Sequence, residues 1–291
     1  MKNLPYMALA VAIFTVAAAC PRAQSQSEVT FRLINGNLVV VSLTVGEEGH
    51  FDFVLDTGAD TTIVDPSLAA RLSMVPLMPV QQSTLTGICS VPRGLLAALT
   101  AGSEQVKNLP VLVQDLAAVR RIDAHIQGIV GQDFLSHFNY LLDYRRHVVR
   151  IEAATEIRDT VEGDRVQIEA GAKRMMVASE GESLRRATLR LLLDSGASSL
   201  VLIRKGSQAL EVPAFASVQE TTSSGKTNLR VGRVHKLTVG SEQFHEIAVA
   251  LSAAEPVESI GDGLLPTTLF QALYVNNREG FVVFNPRARK N

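Results

Sequence analysis

The chain is poor in the side chains on which most enzyme chemistry depends. It has only two cysteines among 291 residues. Cys20 belongs to an apolar N-terminal segment, which leaves Cys89 alone and excludes both a disulfide framework and a thiolate metal cluster. The six histidines are scattered, and His245-Glu246 lacks the second histidine of a zinc-protease helix, so no metal is expected. No Gly-x-Ser-x-Gly elbow is present to mark a serine hydrolase. Two nucleotide-like patterns also fail at required positions. "SSGKT" has Glu220 where a phosphate loop needs its first glycine, and "GDGLLP" ends on Pro266 where a dinucleotide fingerprint needs glycine. No cofactor is expected. Nor is there an excess of one charge: 28 basic and 29 acidic residues leave a net charge of −1, which gives no basis for a nucleic-acid partner.

What is present begins with an apolar run from Tyr6 to Ala19 behind Lys2. The run is short for a membrane span but suits the core of an export signal over residues 1–23, with small-residue cleavage sites at Ala17 to Ala19 and at Ala23. Cys20 after three alanines also resembles a lipoprotein cleavage box, with the signal then ending at residue 19, although Ala17 stands where that box usually has Leu. Export to the periplasm or beyond, and lipid anchoring to the cell envelope at Cys20, therefore both remain open.

The remainder is a duplication. Sliding the sequence by 138 residues lays Asp56 on Asp194, Gly58 on Gly196, Ala59 on Ala197, Gly87 on Gly225 and Gly94 on Gly232. "GSEQ" recurs in the same register, at Gly102 to Gln105 and at Gly240 to Gln243. A period this long excludes a solenoid and predicts two homologous lobes, residues 28–154 and 160–291, joined by the polar stretch "ATEIRDTVEGD". Both lobes read as mainly β. Short Val-, Leu- and Phe-rich runs such as "LVVVSLTV" and "ATLRLLLD" are separated by turn residues such as "NGN" and "GEEG". Helices are expected to be few and short, at "DPSLAARL", "GQDFLSHF" and "PTTLFQAL".

Each lobe drives a carboxylate into the end of an apolar strand, in "FVLDTGADTTIV" and "LRLLLDSGASSLVLI". Burying an ionisable group there is costly unless it is paired or used. Asp-Thr/Ser-Gly makes a tight turn that fixes the carboxylate beside backbone N–H groups, and the hydroxyls of Thr57 and Ser195 are placed to bond across to the opposite turn as braces. If the lobes pack about a pseudo-twofold axis, the carboxylates become neighbours and share a proton. One then serves as general base on a water while the other polarises the carbonyl under attack. Taken singly, either aspartate could be a mere turn-former; two copies in register argue against that.

"LDTGADTTIV" closely resembles the active-site loop of the retroviral-type aspartic proteases, and "LLDSGASSLVL" is a second copy. "GIVGQDFL" is similar to the apolar-apolar-glycine element that packs beneath the catalytic turn in that family, and "GLLPTTLF" is its counterpart, with Pro266 in place of glycine. The resemblance implies a bilobed acid-protease fold with short peripheral helices and a pseudo-twofold axis. It also implies an endopeptidase acting on extended peptides or unfolded proteins, with Asp56 and Asp194 as the catalytic pair. Thr57, Gly58, Ser195 and Gly196 would support the active-site loops. It further implies a flap hairpin in each lobe, with Gly87 and Gly225 as candidate tips. Asp60 is either a contact to the substrate backbone or a solvated loop carboxylate. With both halves in one chain, a monomer should suffice. Ala59 and Ala197 replace the Ser or Thr that donates to the carboxylate in pepsin-like loops, which should raise the carboxyl pKa values and make the pH optimum milder. The alternative reading is a catalytically silent, protease-like module that holds a peptide in the same cleft.

Overall fold

A computed structural model describes residues 27–84, 87–153, 161–169, 174–222, 225–253 and 261–288. The apolar N-terminal segment, with Cys20, and most of the inter-lobe stretch lie outside them. Among the described residues no helix is long and apolar enough to cross a membrane.

The alternation and near-continuous apolar runs of the sequence resolve into strands. Leu38–Val45 buries Val39, Val40, Val41, Leu43 and Val45, and it pairs antiparallel with His50–Leu55 across the turn at residues 46–49. His50–Leu55, which ends at Asp56, then pairs in parallel with Ile126–Val130 (Leu55 opposite Val130), and that strand pairs with Ile63–Val64. Glu104–Val113 and Gly87–Ala101 follow, and Gly87–Ala101 returns to Leu38–Val45 through Thr44 opposite Thr100. The circuit closes as a six-stranded barrel, with Val75–Thr84 attached outside it as a hairpin partner.

The second lobe repeats the circuit element by element. Met176–Glu182, Arg186–Asp194, Gly263–Pro266, Leu200–Leu202, Glu242–Leu251 and Gly225–Val239 close on one another, and Ala214–Thr222 is the attached hairpin strand. The parallel pair at the centre sets Leu193 opposite Leu265 and Asp194 opposite Pro266. The "GSEQ" repeats are equivalent hairpin turns, and Gly102 (φ 60°) and Gly240 (φ 58°) occupy the left-handed region that glycine enters without steric cost.

A third sheet ties the lobes together. It runs Arg165–Gln167, Phe281–Phe284, Ala272–Asn276, Phe138–Asp143, Val148–Ala153, Ser27–Ile34, three strands from each half, all antiparallel. At its centre Leu142 faces Leu273 and Tyr140 faces Val275. All four are buried, and the leucines belong to an apolar cluster that runs through both lobes. This continuous core fixes the lobes relative to each other.

The expected helices are shorter than the sequence implies. "DPSLAARL" gives Pro66–Arg71, capped by the Asp65 carboxylate accepting from the Ser67 N–H, with Pro66 opening the helix. "GQDFLSHF" yields only Gln132–Leu135. "PTTLFQAL" is a 3-10 turn, Thr267–Leu269, because the chain must straighten at once to pair Ala272 with Asp143 in the inter-lobe sheet. Tertiary pairing overrides local propensity there. Ala117–Arg120 and Arg204–Leu210 are helices that the sequence patterns did not mark. Two residues of the expected linker, Val161–Glu162, pair with Arg287–Ala288.

Leu142→Ala removes a fully buried side chain from the joint between the lobes. It should lower the unfolding free energy by about 2–5 kcal/mol, read from the urea midpoint at unchanged slope.

Candidate active site

The two motif turns meet where the parallel strands of the two barrels end. Each is fixed by backbone hydrogen bonds to its own carboxylate: Gly58 N (2.9 Å) and Ala59 N (3.1 Å) donate to Asp56 Oδ1, and Gly196 N (2.7 Å) and Ala197 N (3.1 Å) donate to Asp194 Oδ1. Four bonds then cross between the turns. Thr57 N donates to Ser195 Oγ (3.0 Å) and Ser195 N to Thr57 Oγ1 (2.9 Å). Thr57 Oγ1 donates to the Leu193 carbonyl (2.9 Å), and Ser195 Oγ to the Leu55 carbonyl (2.7 Å). Both hydroxyl residues are completely buried, so each hydroxyl satisfies one orphaned N–H and one orphaned carbonyl of the opposite lobe. Their role is bracing, as the motif implies.

The glycines of the motif serve the opposite lobe. A Cβ on Gly58 would stand 2.7 Å from the Cγ of Asp194, and one on Gly196 would stand 3.1 Å from Asp56 Oδ2. Any side chain there would push the other carboxylate away. With glycine at both positions the two carboxyl groups close on one point: a Cβ on Gly196 would stand 3.1 Å from Asp56 Oδ2 and 3.2 Å from Asp194 Oδ1.

The electrostatics follow from that approach. Both residues keep partial solvent contact, yet their carboxyls are ringed by protein atoms. Burial is the largest cause of a raised pKa at each. At Asp194 the charge of Asp56 adds to it, and the pKa is pushed up to about 8. Asp56 is also raised, but the backbone donors, its bond with Asp194 and the positive charge of Arg174 all oppose the shift. Two anions cannot coexist cheaply at this separation, so the pair holds one proton between them. Burial, and not the absence of a hydroxyl at Ala59 and Ala197, is the leading cause of both rises.

Arg174, which motif reasoning missed, grips Asp60 with two bonds, Nε to Oδ1 at 2.6 Å and Nη2 to Oδ2 at 2.8 Å. Asp60 is therefore held in an inter-lobe ion pair. Its counterpart in the second lobe is Ser198, and the position matching Arg174 is Gly36, so the pair exists on one side only. A lone arginine outside any motif offers no signal in the sequence.

Beneath the Asp56 turn, Gly131 fits against the Ala59 carbonyl, which a Cβ would meet at 2.8 Å. Gly131 N donates to Thr62 Oγ1 (3.2 Å), and Gln132 Nε2 donates to the Thr57 carbonyl (2.8 Å). In the second lobe Pro266 stands in place of Gly131, and Leu200 in place of Thr62. The N–H of Gly131 and its side-chain acceptor on Thr62 are thus replaced together, by a residue without an N–H and by an apolar side chain. Gly87 and Gly225 each open the returning strand of a hairpin, opposite Thr84 and Thr222, one hairpin per lobe. The turn residues between those partners lie outside the described ones. Cys89 is in the first hairpin, its backbone opposite Gln82. Among the described residues no cluster of three or more His, Cys, Asp or Glu could hold a metal.

Twin six-stranded barrels with one Asp-Thr/Ser-Gly turn apiece, cross-braced at their interface, define a bilobed aspartic-protease fold. The aspartyl protease family model matches the chain twice, over residues 41–134 and 176–268, one match in each lobe. The matches cover more than half of the sequence, and the protein belongs to the aspartyl protease family. Among curated proteins none matches the chain significantly.

Ser195→Ala strips the partner from a buried N–H and a buried carbonyl in the first lobe, and should cost about 2–4 kcal/mol of stability by chemical denaturation. Asp194→Asn tests the electrostatics. A carboxyl whose folded pKa lies above its unfolded value makes the native state bind more protons, so its contribution to stability declines as pH rises from about 4 to about 8. The variant should be more stable than the parent at pH 8, by on the order of 1–2 kcal/mol, with the gap closing toward pH 4, as read from melting at several pH values.

Proposed function

We propose that the protein is an aspartic endopeptidase whose catalytic pair is Asp56 and Asp194. The observation that carries this reading is the pair itself: two carboxyls on opposite lobes that close on one point at Gly196, each held by two backbone N–H groups. A cleft built only to bind a peptide needs no such pair, which argues against a catalytically silent module.

In the resting site Asp194 carries the shared proton and Asp56 the charge. Arg174 favours the anion at Asp56, and that anion in turn opposes ionisation of Asp194. A water lodged between the carboxyls gives a proton to Asp56 as its oxygen bonds to the peptide carbonyl carbon. Asp194 gives its proton to the carbonyl oxygen, and a neutral tetrahedral diol results. The C–N bond then breaks as Asp56 returns its proton to the leaving nitrogen and Asp194 takes one back from a diol hydroxyl. Atoms and charge balance without a metal or a covalent intermediate. The substrate is an extended peptide or an unfolded protein chain, covered by the two hairpins whose returning strands open at Gly87 and Gly225. One chain supplies both halves, so the active species is a monomer. The apolar segment before Cys20 serves export to the periplasm or cell envelope, with Cys20 as a lipid attachment point if the signal ends at Ala19.

Purified protein should cleave unfolded casein, pepstatin should block cleavage, and Asp56→Asn or Asp194→Asn alone should lower kcat/KM by about 10³-fold or more. The profile should be bell-shaped with appreciable activity near neutral pH, since one proton is retained until about pH 8. No cleavage from about pH 3 to 8 by a well-folded sample would overturn the assignment, and activity confined below about pH 5 would overturn the mild optimum alone.

A further inference from the structure

The two catalytic turns are supported by different chemistry. Around Asp56 the support is local: Gln132 holds the Thr57 carbonyl, and the Asp133 carboxylate accepts from Thr62 N (2.8 Å) and Thr62 Oγ1 (2.6 Å). Strand register aligns Leu55 and Val130 with Leu193 and Leu265, so Pro266, Thr267 and Thr268 replace Gly131, Gln132 and Asp133. Neither the amide nor the carboxylate of the first lobe has an equivalent there. The Thr267 hydroxyl, completely buried, is instead engaged by the Tyr144 hydroxyl at 2.5 Å.

Tyr144 comes from the other lobe. It follows the strand Phe138–Asp143, and its N–H donates to the Gln271 carbonyl (2.9 Å), which extends the inter-lobe sheet by one residue. Its side chain packs edge-on to Phe31, with ring centroids 5.8 Å apart. The arrangement is reciprocal. Asn277, which follows Ala272–Asn276 in the second lobe, sends its Nδ2 to the Phe138 (2.6 Å) and Leu135 (3.1 Å) carbonyls of the first. Each lobe thus reaches across the sheet to hold the short helical turn behind the other's catalytic strand. On the Asp56 side this strap is added to Gln132 and Asp133. On the Asp194 side, where these are lacking, it ends on the residue next to Pro266, which pairs with Asp194 in register.

We propose that Tyr144 is a positioning residue for Asp194, acting across the lobe boundary through Thr267 and the Pro266 backbone. The inference rests on the aspartic-peptidase reading for its kinetic consequences, but not for the strap itself. The groups facing Asp194 are the Asp56 carboxyl, the Gly196 and Ala197 N–H groups and, at longer range, Tyr144; Arg174 acts on Asp56. The ionisation of Tyr144 is itself pushed up, first by burial and further by the charge of Asp194, as expected of a hydroxyl near that carboxyl.

The test compares Tyr144→Phe, Thr267→Val, Thr267→Ser and Asn277→Ala in the full chain. Tyr144→Phe and Thr267→Val each break the same bond. Each should lower kcat about tenfold with KM within about twofold, and the double variant should be no worse than either single one. Thr267→Ser keeps the hydroxyl and should recover most of the loss. Loosening the turn admits water to Asp194, so the upper apparent pKa of the carboxyl pair should fall by about half a unit or more, as read by ¹³C NMR of labelled aspartate side chains. Asn277→Ala should leave that pKa in place. The NMR titration does not need turnover. A wild-type protein that cleaves nothing yet shows the Tyr144-dependent shift would refute the peptidase reading and keep the strap. An active enzyme in which Tyr144→Phe and Thr267→Val change neither kcat nor the upper pKa would refute the strap alone. If Tyr144→Phe fails to fold, the contrast between Thr267→Val and Thr267→Ser decides the matter.

Discussion

The structure turns on one constraint: two carboxyl groups must be kept together in surroundings that would drive like charges apart. Retaining a shared proton removes one charge, and directing two backbone N–H groups at each carboxylate stabilises the other. Neither measure fixes the separation. That is done by the crossed bonds of Thr57 and Ser195, in which each lobe's hydroxyl completes the backbone of the other. Breaking any of these would leave a buried donor or acceptor without a partner, a larger penalty than the bond's net contribution when made. The geometry of the pair is therefore tied to the backbone of both lobes.

The barrels and the inter-lobe sheet are the means to that end. A parallel strand pair ends at each motif turn, and the buried leucines of the sheet, Leu142 and Leu273, hold the barrels in one mutual orientation. Duplication provides the twofold symmetry that brings two identical turns together. The chain then departs from symmetry around the two carboxyls. Asp60 and Arg174 form an ion pair on one side, where the other has Ser198 and Gly36. Gly131 with Thr62 on one side becomes Pro266 with Leu200 on the other, a paired change that removes the donor and the side-chain acceptor of one bond together. The first difference places positive charge nearer Asp56 and lets two carboxyls of the same kind hold a proton unequally.

Much of this was legible in the residues. The offset of 138 found both copies of the motif and the equivalent hairpins. Asp56, Asp194, Thr57, Ser195, Gly58 and Gly196 all sit in one hydrogen-bonded cluster, and Gly87 and Gly225 flank equivalent tips. What escaped notice shares a physical character. Arg174, Tyr144 and Asn277 act through contacts to residues far away in the chain, and nothing in their immediate neighbours marks them. The helix expected at "PTTLFQAL" was lost for the same reason: its local preference is outweighed by a strand partner more than a hundred residues earlier.

By itself the sequence determined the repeat, the strand pattern and the identity of the two acidic turns, because each is written in local spacing and in short-range backbone preference. Only the tertiary structure decided how near the carboxyls stand, why the motif glycines must lack a side chain, and which arginine and tyrosine attend which aspartate. Those properties depend on distances between the lobes. Such distances are set by burial and by bonds that cross from one barrel to the other, and no window of consecutive residues contains both ends of them.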